Sequence, residues 1–177
     1  VSCDLSPSMM LIAGEVFYNA YVVNDRFHVQ QVYNEAVDEI RIDVRRQLIA
    51  EENNCDWSQS PTIYSNGETM RQILARSKHT LMMSREKWTD IQRHRVNILF
   101  RHYPILKKAY LLAMQMRHIF NLKISPAKAM GKFNEWYGKV QALGNANFRS
   151  VIKTFKNHAP TILNYFRRRA TNAAAEA

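Results

Sequence analysis

The chain has 177 residues, of which 46% are hydrophobic and 23% charged, which is enough for the core of one domain or of one domain with a large elaboration. Its two cysteines, Cys3 and Cys55, are too few and too scattered for a disulfide framework or a zinc ribbon, which favours a reducing, intracellular compartment. No apolar run reaches the length of a membrane span and no signal peptide is visible. Membrane-embedded and disulfide-stapled classes are therefore excluded.

The formal charge of +10 is unevenly distributed along the chain. Residues 1–60 contain 10 acids and 4 Lys or Arg, whereas residues 61–177 contain 5 acids and 21 Lys or Arg. A polycation of this kind attracts polyanions, and nucleic-acid backbones are the usual ones. A solvated basic surface without a nucleic-acid partner is the alternative at this point.

The first third of the chain predicts two strands and two helices. The opening VSCD is typical of a strand end, and Ser6-Pro7 provides the cap and first turn of a short helix. Ala20 to Val23 is a short β-branched run that predicts a buried strand. From Asp25 to about Glu52, apolar residues recur every three or four positions, which indicates one face of a long helix.

The rest of the chain predicts a loop and then an all-helical body. Asn53 to Gly67 lacks periodicity, and helices are predicted over about 69–77, 84–101, 104–121, 126–143, 147–157 and 160–168. Apolar stripes such as Phe133, Trp136 and Val140 predict a helix-on-helix core rather than a base-stacking platform. The predicted fold class is thus mainly α with a small β remnant.

Three polar residues stand where predicted strands end. Asp4 follows the first strand, and Asp25 and His28 lie three apart where the second strand gives way to the long helix. Carboxylates at strand ends are where open α/β sheets place their chemistry. Each has a structural alternative: Asp4 as a turn or cap acid, and Asp25 as the N-cap of the helix with His28 as its third residue.

The C-terminal stretch YFRRRATNAAAEA places three arginines before Thr171, a predicted cap, and leaves Glu176 as the single acid of an alanine-rich helix. A solvated glutamate is the alternative for Glu176. The histidines lack ligand spacing, which argues against zinc. The chain contains no phosphate-binding glycine loop, nucleophile elbow or His-Glu-x-x-His motif, so most other enzyme classes have no support.

Three blocks together carry a family resemblance: VSCDLSPSM, AYVVNDRFHVQQVYNEAVDEIR and NYFRRRATNAAAEA. They resemble the transposase of bacterial insertion sequences of the ISL-three family, one of the groups with a DDE catalytic core. That family's pattern runs from an acid followed by a short helix, through a strand and an Asp-x-x-His, to a basic run followed by Thr-Asn and a Glu. All the blocks are present in order and span the chain from Asp4 to Glu176.

The resemblance implies a partial RNase H-like α/β core of two strands within residues 1–28, a helical insertion over 29–165, and the start of the C-terminal catalytic-core helix at 166–177. Asp4 matches the second catalytic acid and Glu176 the third, while Asp25 and His28 match the additional Asp-x-x-His. The first acid has no counterpart here. We therefore expect the chain to be a piece of a longer transposase and to be inactive alone.

The resemblance also implies two Mg²⁺ (or Mn²⁺) ions in the complete site, with Asp4 and Glu176 as ligands, and DNA strand cleavage and strand transfer as the reaction. The expected partner is double-stranded DNA, at transposon ends and target. The full-length protein is expected to be a homo-oligomer that acts at the nucleoid in the bacterial cytoplasm, away from membranes. The residues expected to contact DNA phosphates are Arg93, Arg95, Lys107, Lys108, Arg167, Arg168 and Arg169.

Two other classes of function remain open on sequence grounds. A non-catalytic, basic helical DNA-binding module would account for the charge and the helices, and a helical protein-interaction scaffold would need an acidic partner. Neither explains why the three blocks occur in this order.

Overall fold

The computed structural model describes residues 2–3, 5, 7–16, 19, 21–54 and 61–169. The elements are β1 (Ser2–Cys3), α1 (Pro7–Val16), β2 (Val23–Asn24), α2 (Arg26–Asn54), α3 (Met70–Arg76), α4 (Lys78–Met82), α5 (Asp90–His102), α6 (Pro104–Asn121), α7 (Pro126–Leu143), α8 (Ala146–Asn157) and α9 (Ala159–Arg168). This confirms the predicted class, mostly helical with a small two-stranded sheet. No helix within the described ranges is long and apolar enough to cross a membrane.

The sheet consists of β1 and β2, which pair in parallel with Cys3 opposite Asn24. Parallel neighbours need a crossover, and α1 lies between them in the chain. Helix α9 covers β2: the Thr161 hydroxyl donates to the Asn24 side-chain oxygen, and the Asn164 side-chain amide donates to the carbonyl of Val22 at 2.9 Å. Asn24 is 1% exposed. The short β2 is therefore held by a strand and a helix together.

The chain divides into two compact units, one formed by residues 1–33 and 115–177 and the other by residues 34–114. Both α2 and α6 contribute residues to each unit. The predicted helical insertion over residues 29–165 stays a prediction. The boundaries of the compact units show which residues pack together, and they do not show where a segment was inserted into a parent fold.

The unit containing the sheet is built on an aromatic core. The rings of Phe120, Phe133 and Phe166 lie with their centroids 5.3 to 5.9 Å apart. Helix α7 begins with Ser125 accepting from the Lys128 amide and ends at Gly144, whose φ of 70° suits glycine. The predicted stripe of α7 is buried, comprising Phe133, Trp136, Tyr137 and Val140. The core prediction for these stripes is confirmed.

The predicted helix over 84–101 is wrong at its start. Residues Arg85–Lys87 form one 3-10 turn, and α5 begins at Asp90 behind a capping box between Thr89 and Gln92. The break lets Trp88 turn inward, where its indole N–H donates to the carbonyl of Thr80 at 2.9 Å. Helix α4, which the prediction lacked, has only five residues and is too short to show a period.

Glu68 forms ion pairs with two arginines in the unit formed by residues 34–114. Its side chain is 8% exposed, and its carboxylate accepts from Arg95 Nε at 2.7 Å, from Arg95 Nη2 at 2.8 Å and from Arg76 Nη1 at 2.6 Å. The hydrogen bonds from Arg95 are the main reason why the pKa of Glu68 is lowered to about 2. Glu68 thus ties the turn before α3 to α3 and α5.

Replacing Glu68 should therefore weaken this unit in a pH-dependent way. Because the folded-state pKa lies below the ordinary value, the contribution of Glu68 is complete at neutral pH and is lost as the pH falls from about 5 towards 2. We expect Glu68→Gln to lower the free energy of unfolding at pH 7 by up to about 3 kcal/mol and to remove that part of the acid dependence. Urea unfolding at neutral and acidic pH measures both.

Glu52→Gln is the matched control for this change. Glu52 lies 3.9 Å from Arg71 in a solvent-exposed pair, which is worth less than about 1 kcal/mol because water and salt screen it. The role given to Glu68 would be contradicted if the two variants lost equal amounts of unfolding free energy, or if the unfolding free energy of Glu68→Gln kept its dependence on acidic pH.

Candidate functional site

Asp25 lies where β2 gives way to α2 and is 6% exposed. Its backbone N–H donates to the carbonyl of Cys3 at 2.7 Å, which extends the pairing of the two strands by one residue. Its Oδ1 accepts from the amide of Phe27 at 2.6 Å, and its carbonyl accepts from the amide of Val29 at 3.1 Å. These bonds make Asp25 the N-cap of α2, which confirms the structural alternative predicted for it from the sequence.

His28 is the third residue of α2, in the first turn after that cap. Its ring is partly buried and packs edge-to-face against Phe27, with the centroids 5.7 Å apart, while Phe27 itself is 71% exposed. The Asp-x-x-His pair therefore occupies one helix start beside the sheet, and an exposed aromatic ring lies next to it.

The two acids assigned as metal ligands, Asp4 and Glu176, lie outside the described residues. Cys3 and Asn24, the residues immediately before Asp4 and Asp25, face each other across the parallel pair. Helix α9 precedes Glu176 in the chain and contacts the start of α2. The contact is a hydrogen bond of 3.3 Å from Arg26 Nη1 to the hydroxyl of Tyr165. Within the part of the chain that is described, no group of three or more His, Cys, Asp or Glu could hold a metal ion.

Arg93 and Arg95, both predicted to contact DNA, have partners inside the protein. Arg95 is 14% exposed and forms the bidentate pair with Glu68, which raises its pKa further. Arg93 lies 3.9 Å from Asp90 and 3.4 Å from the carbonyl of Trp88. Arg95 is thus committed to the fold, while Arg93 retains a partly exposed side chain.

The other predicted DNA contacts differ in accessibility. Lys107 and Lys108 are exposed on α6, and the Arg167 guanidinium lies over the Tyr21 ring, 5.1 Å from its centroid. Arg169 donates to the carbonyls of Leu122 and Phe120 at 2.9 and 3.2 Å. The side chain of Arg168 is not among those that the structure describes.

Sequence reasoning missed Arg85 and Arg101, which lie with Lys107 around an open pocket in the unit formed by residues 34–114. A signal was present, because α5 and α6 both carry a polar or basic residue followed by an aromatic ring three positions later: Asn97 with Phe100, and Lys107 with Tyr110. That spacing places each pair on one helix face.

Comparison with curated proteins gave no match, and comparison with solved structures gave none either. A family model described as a transposase, that of the DDE transposases of ISL-three insertion sequences, matches residues 1–177. Members of this family generally use divalent metal ions and act on DNA. Because the match covers the whole chain and agrees with the three sequence blocks, this chain belongs to the DDE transposase family of the ISL-three insertion sequences.

Proposed function

We propose that this chain supplies the second and third acids of a DDE site that cleaves DNA strands and transfers them during movement of an insertion sequence. The observation that carries the proposal is the parallel register that sets Cys3 opposite Asn24. Each of these residues is followed directly by an acid, Asp4 in one case and Asp25 in the other. Parallel strands end at the same edge of a sheet, which is where open α/β folds place their sites.

Helix α9 supports the same arrangement from the far end of the sequence. Thr161 and Asn164 bond to β2 and to the residue before it, and Arg26, the neighbour of Asp25, reaches Tyr165. The family pattern places the third acid, Glu176, shortly after this helix. Segments that are far apart in sequence and lead to the predicted acids therefore meet beside one short strand.

In this proposal Asp4 and Glu176 are ligands of Mg²⁺ or Mn²⁺, and the first acid of the site comes from outside these 177 residues. When bound, two such ions activate a water or a 3′-hydroxyl and stabilise the leaving oxygen of an in-line displacement at phosphorus. Asp25 holds the start of α2 at the sheet edge, and His28, three residues on, supports the site or contacts DNA near the scissile phosphate. The exposed cations, Lys107 and Lys108 among them, bind backbone phosphates.

The central test is strand cleavage by the complete transposase. Asp4→Asn or Glu176→Gln should abolish metal-dependent nicking of a transposon-end duplex, because each removes a charged ligand while keeping the side-chain size. Asp43→Asn is the control, since Asp43 is an exposed acid on α2 whose contact with Arg46 is a surface ion pair. If cleavage survives both ligand changes, the chain is better explained as a non-catalytic DNA-binding module.

Asp25 allows its structural and functional roles to be separated in one position. Asn is as good an N-cap as Asp, so Asp25→Asn should leave stability nearly unchanged, whereas Asp25→Ala should cost about 1 kcal/mol of unfolding free energy. If the carboxylate also serves the site, Asp25→Asn lowers strand cleavage by the complete protein even though its melting temperature is preserved. Full activity in Asp25→Asn would reduce Asp25 to a cap, and full activity in His28→Ala would remove His28 from the site.

DNA binding by this chain should be strongly salt-dependent. Each phosphate neutralised by Lys or Arg releases counterions, so a contact with three or more phosphates lowers the affinity by roughly tenfold or more between low and physiological salt. Fluorescence anisotropy with a labelled duplex across a salt series measures the slope. A flat response would contradict binding through the basic surface and would favour a scaffold with a protein partner.

A further inference from the structure

We propose that the open pocket in the unit formed by residues 34–114 binds a single unpaired nucleotide of a DNA strand. The proposal rests on the proposed function, because it assumes that the chain acts on DNA. It goes further in assigning a site, a ligand class and residues that the family match does not give.

The pocket is formed by one face each of α5 and α6 and by the turn before α5. Asn97, Phe100 and Arg101 line it from α5, and Lys107, Tyr110 and Leu111 line it from α6 with the same spacing. Positions three and four apart share a helix face, so two similar sequence triplets build the two walls. The cavity measures about 420 Å³, within the range of about 300 to 1,000 Å³ that is usual for small-molecule sites.

The inner wall of the pocket is aromatic. The ring of Trp88 lies 5.2 Å from that of Tyr110 and 6.5 Å from that of Phe100, and the last two are 5.5 Å apart. The polar atoms of this wall are engaged inside the protein, since the Trp88 indole N–H donates to Thr80 and the Tyr110 hydroxyl donates to Met83. Trp88 and Tyr110 are only 5% and 4% exposed, so they support the wall from behind, and the partly buried ring of Phe100 is the one that offers apolar surface for stacking of a flat group.

The rim of the pocket is basic. Arg85, Arg101 and Lys107 are exposed, and none of them lies within 4.0 Å of a carboxylate among the described residues. Among the residues that the structure describes, no acid lines the pocket. This contrasts with Arg95, which Glu68 neutralises. Three cations around an aromatic wall favour a ligand that joins a flat ring to a phosphate.

A nucleotide has this composition, and only an unpaired one can use the site. In a duplex both faces of a base are covered by its neighbours, whereas an unpaired base can lay one face on an aromatic wall while its phosphate stays at the rim. Asn97 adds an amide that can donate to and accept from the edge of a base.

The test compares two DNA probes with the full 177-residue chain. One is a short, fully paired duplex, and the other is the same duplex with one unpaired 2-aminopurine nucleotide. We expect tighter binding of the second probe and quenching of its 2-aminopurine fluorescence, because the base stacks on the aromatic wall. Phe100→Leu, which keeps the apolar volume, should reduce the quenching and lower the affinity for this probe roughly tenfold, with thermal melting as the check on folding.

Lys107→Ala and Lys108→Ala form a matched pair of variants. The two lysines are adjacent and exposed on α6, but only Lys107 lines the pocket. Both variants should weaken binding of the paired duplex to a similar extent through lost charge. Only Lys107→Ala should also reduce the preference for the unpaired nucleotide.

The outcomes separate this proposal from the proposed function. Salt-dependent binding of both probes without preference, or equal effects of the two lysine variants on that preference, overturns the pocket assignment and leaves DNA binding intact. If the unchanged chain binds neither probe, both the pocket assignment and the proposed DNA binding are overturned. Titration with deoxyadenosine monophosphate distinguishes the source of the nucleotide, since equal affinity for the free nucleotide and the strand-borne one would overturn a site for DNA strands.

Discussion

The hydrogen bond from the Asp25 amide to the Cys3 carbonyl joins the sheet to the start of the longest helix. Two residues of parallel pairing are too few to be stable alone, so β2 depends on the contacts that α9 makes through Thr161 and Asn164. Asp25 is consequently positioned from two directions, by the strand pairing before it and by the helix that it caps. The start of α2 and the sheet edge are therefore joined at this one residue.

The basic half of the chain contains two kinds of cation that its formal charge does not distinguish. Arg95 is bound by a nearly buried carboxylate, and Arg169 spends its donors on the carbonyls of Leu122 and Phe120, so both serve the fold. Arg101 and Lys107 are exposed, and their charges contribute a positive potential at the protein surface. The exposed cations are therefore fewer than the charge count indicates, and Arg101 and Lys107 are among those that surround the aromatic pocket.

How far the sequence predicted the structure depends on how local each determinant is. Helix α7 was predicted at both ends, because Ser125-Pro126 and Gly144 act within a few residues of the backbone groups they satisfy. The break at Trp88 was missed, since it depends on an indole reaching a carbonyl eight residues away. The ion pair between Glu68 and Arg95 spans 27 residues, and the hydrophobic periodicity of a sequence does not predict which arginine will pair with a buried acid.

The cap and the chemistry make compatible demands on Asp25. The bond from the Phe27 amide holds the carboxylate of Asp25 in one orientation. A carboxylate has two oxygens, and the cap bond uses Oδ1, so a cap role and a role at the site are compatible. A carboxylate that is already oriented needs no rearrangement before it takes part in a reaction. The structural and functional interpretations of the Asp-x-x-His pair therefore do not compete, because the helix start is what would keep the acid in place at the sheet edge.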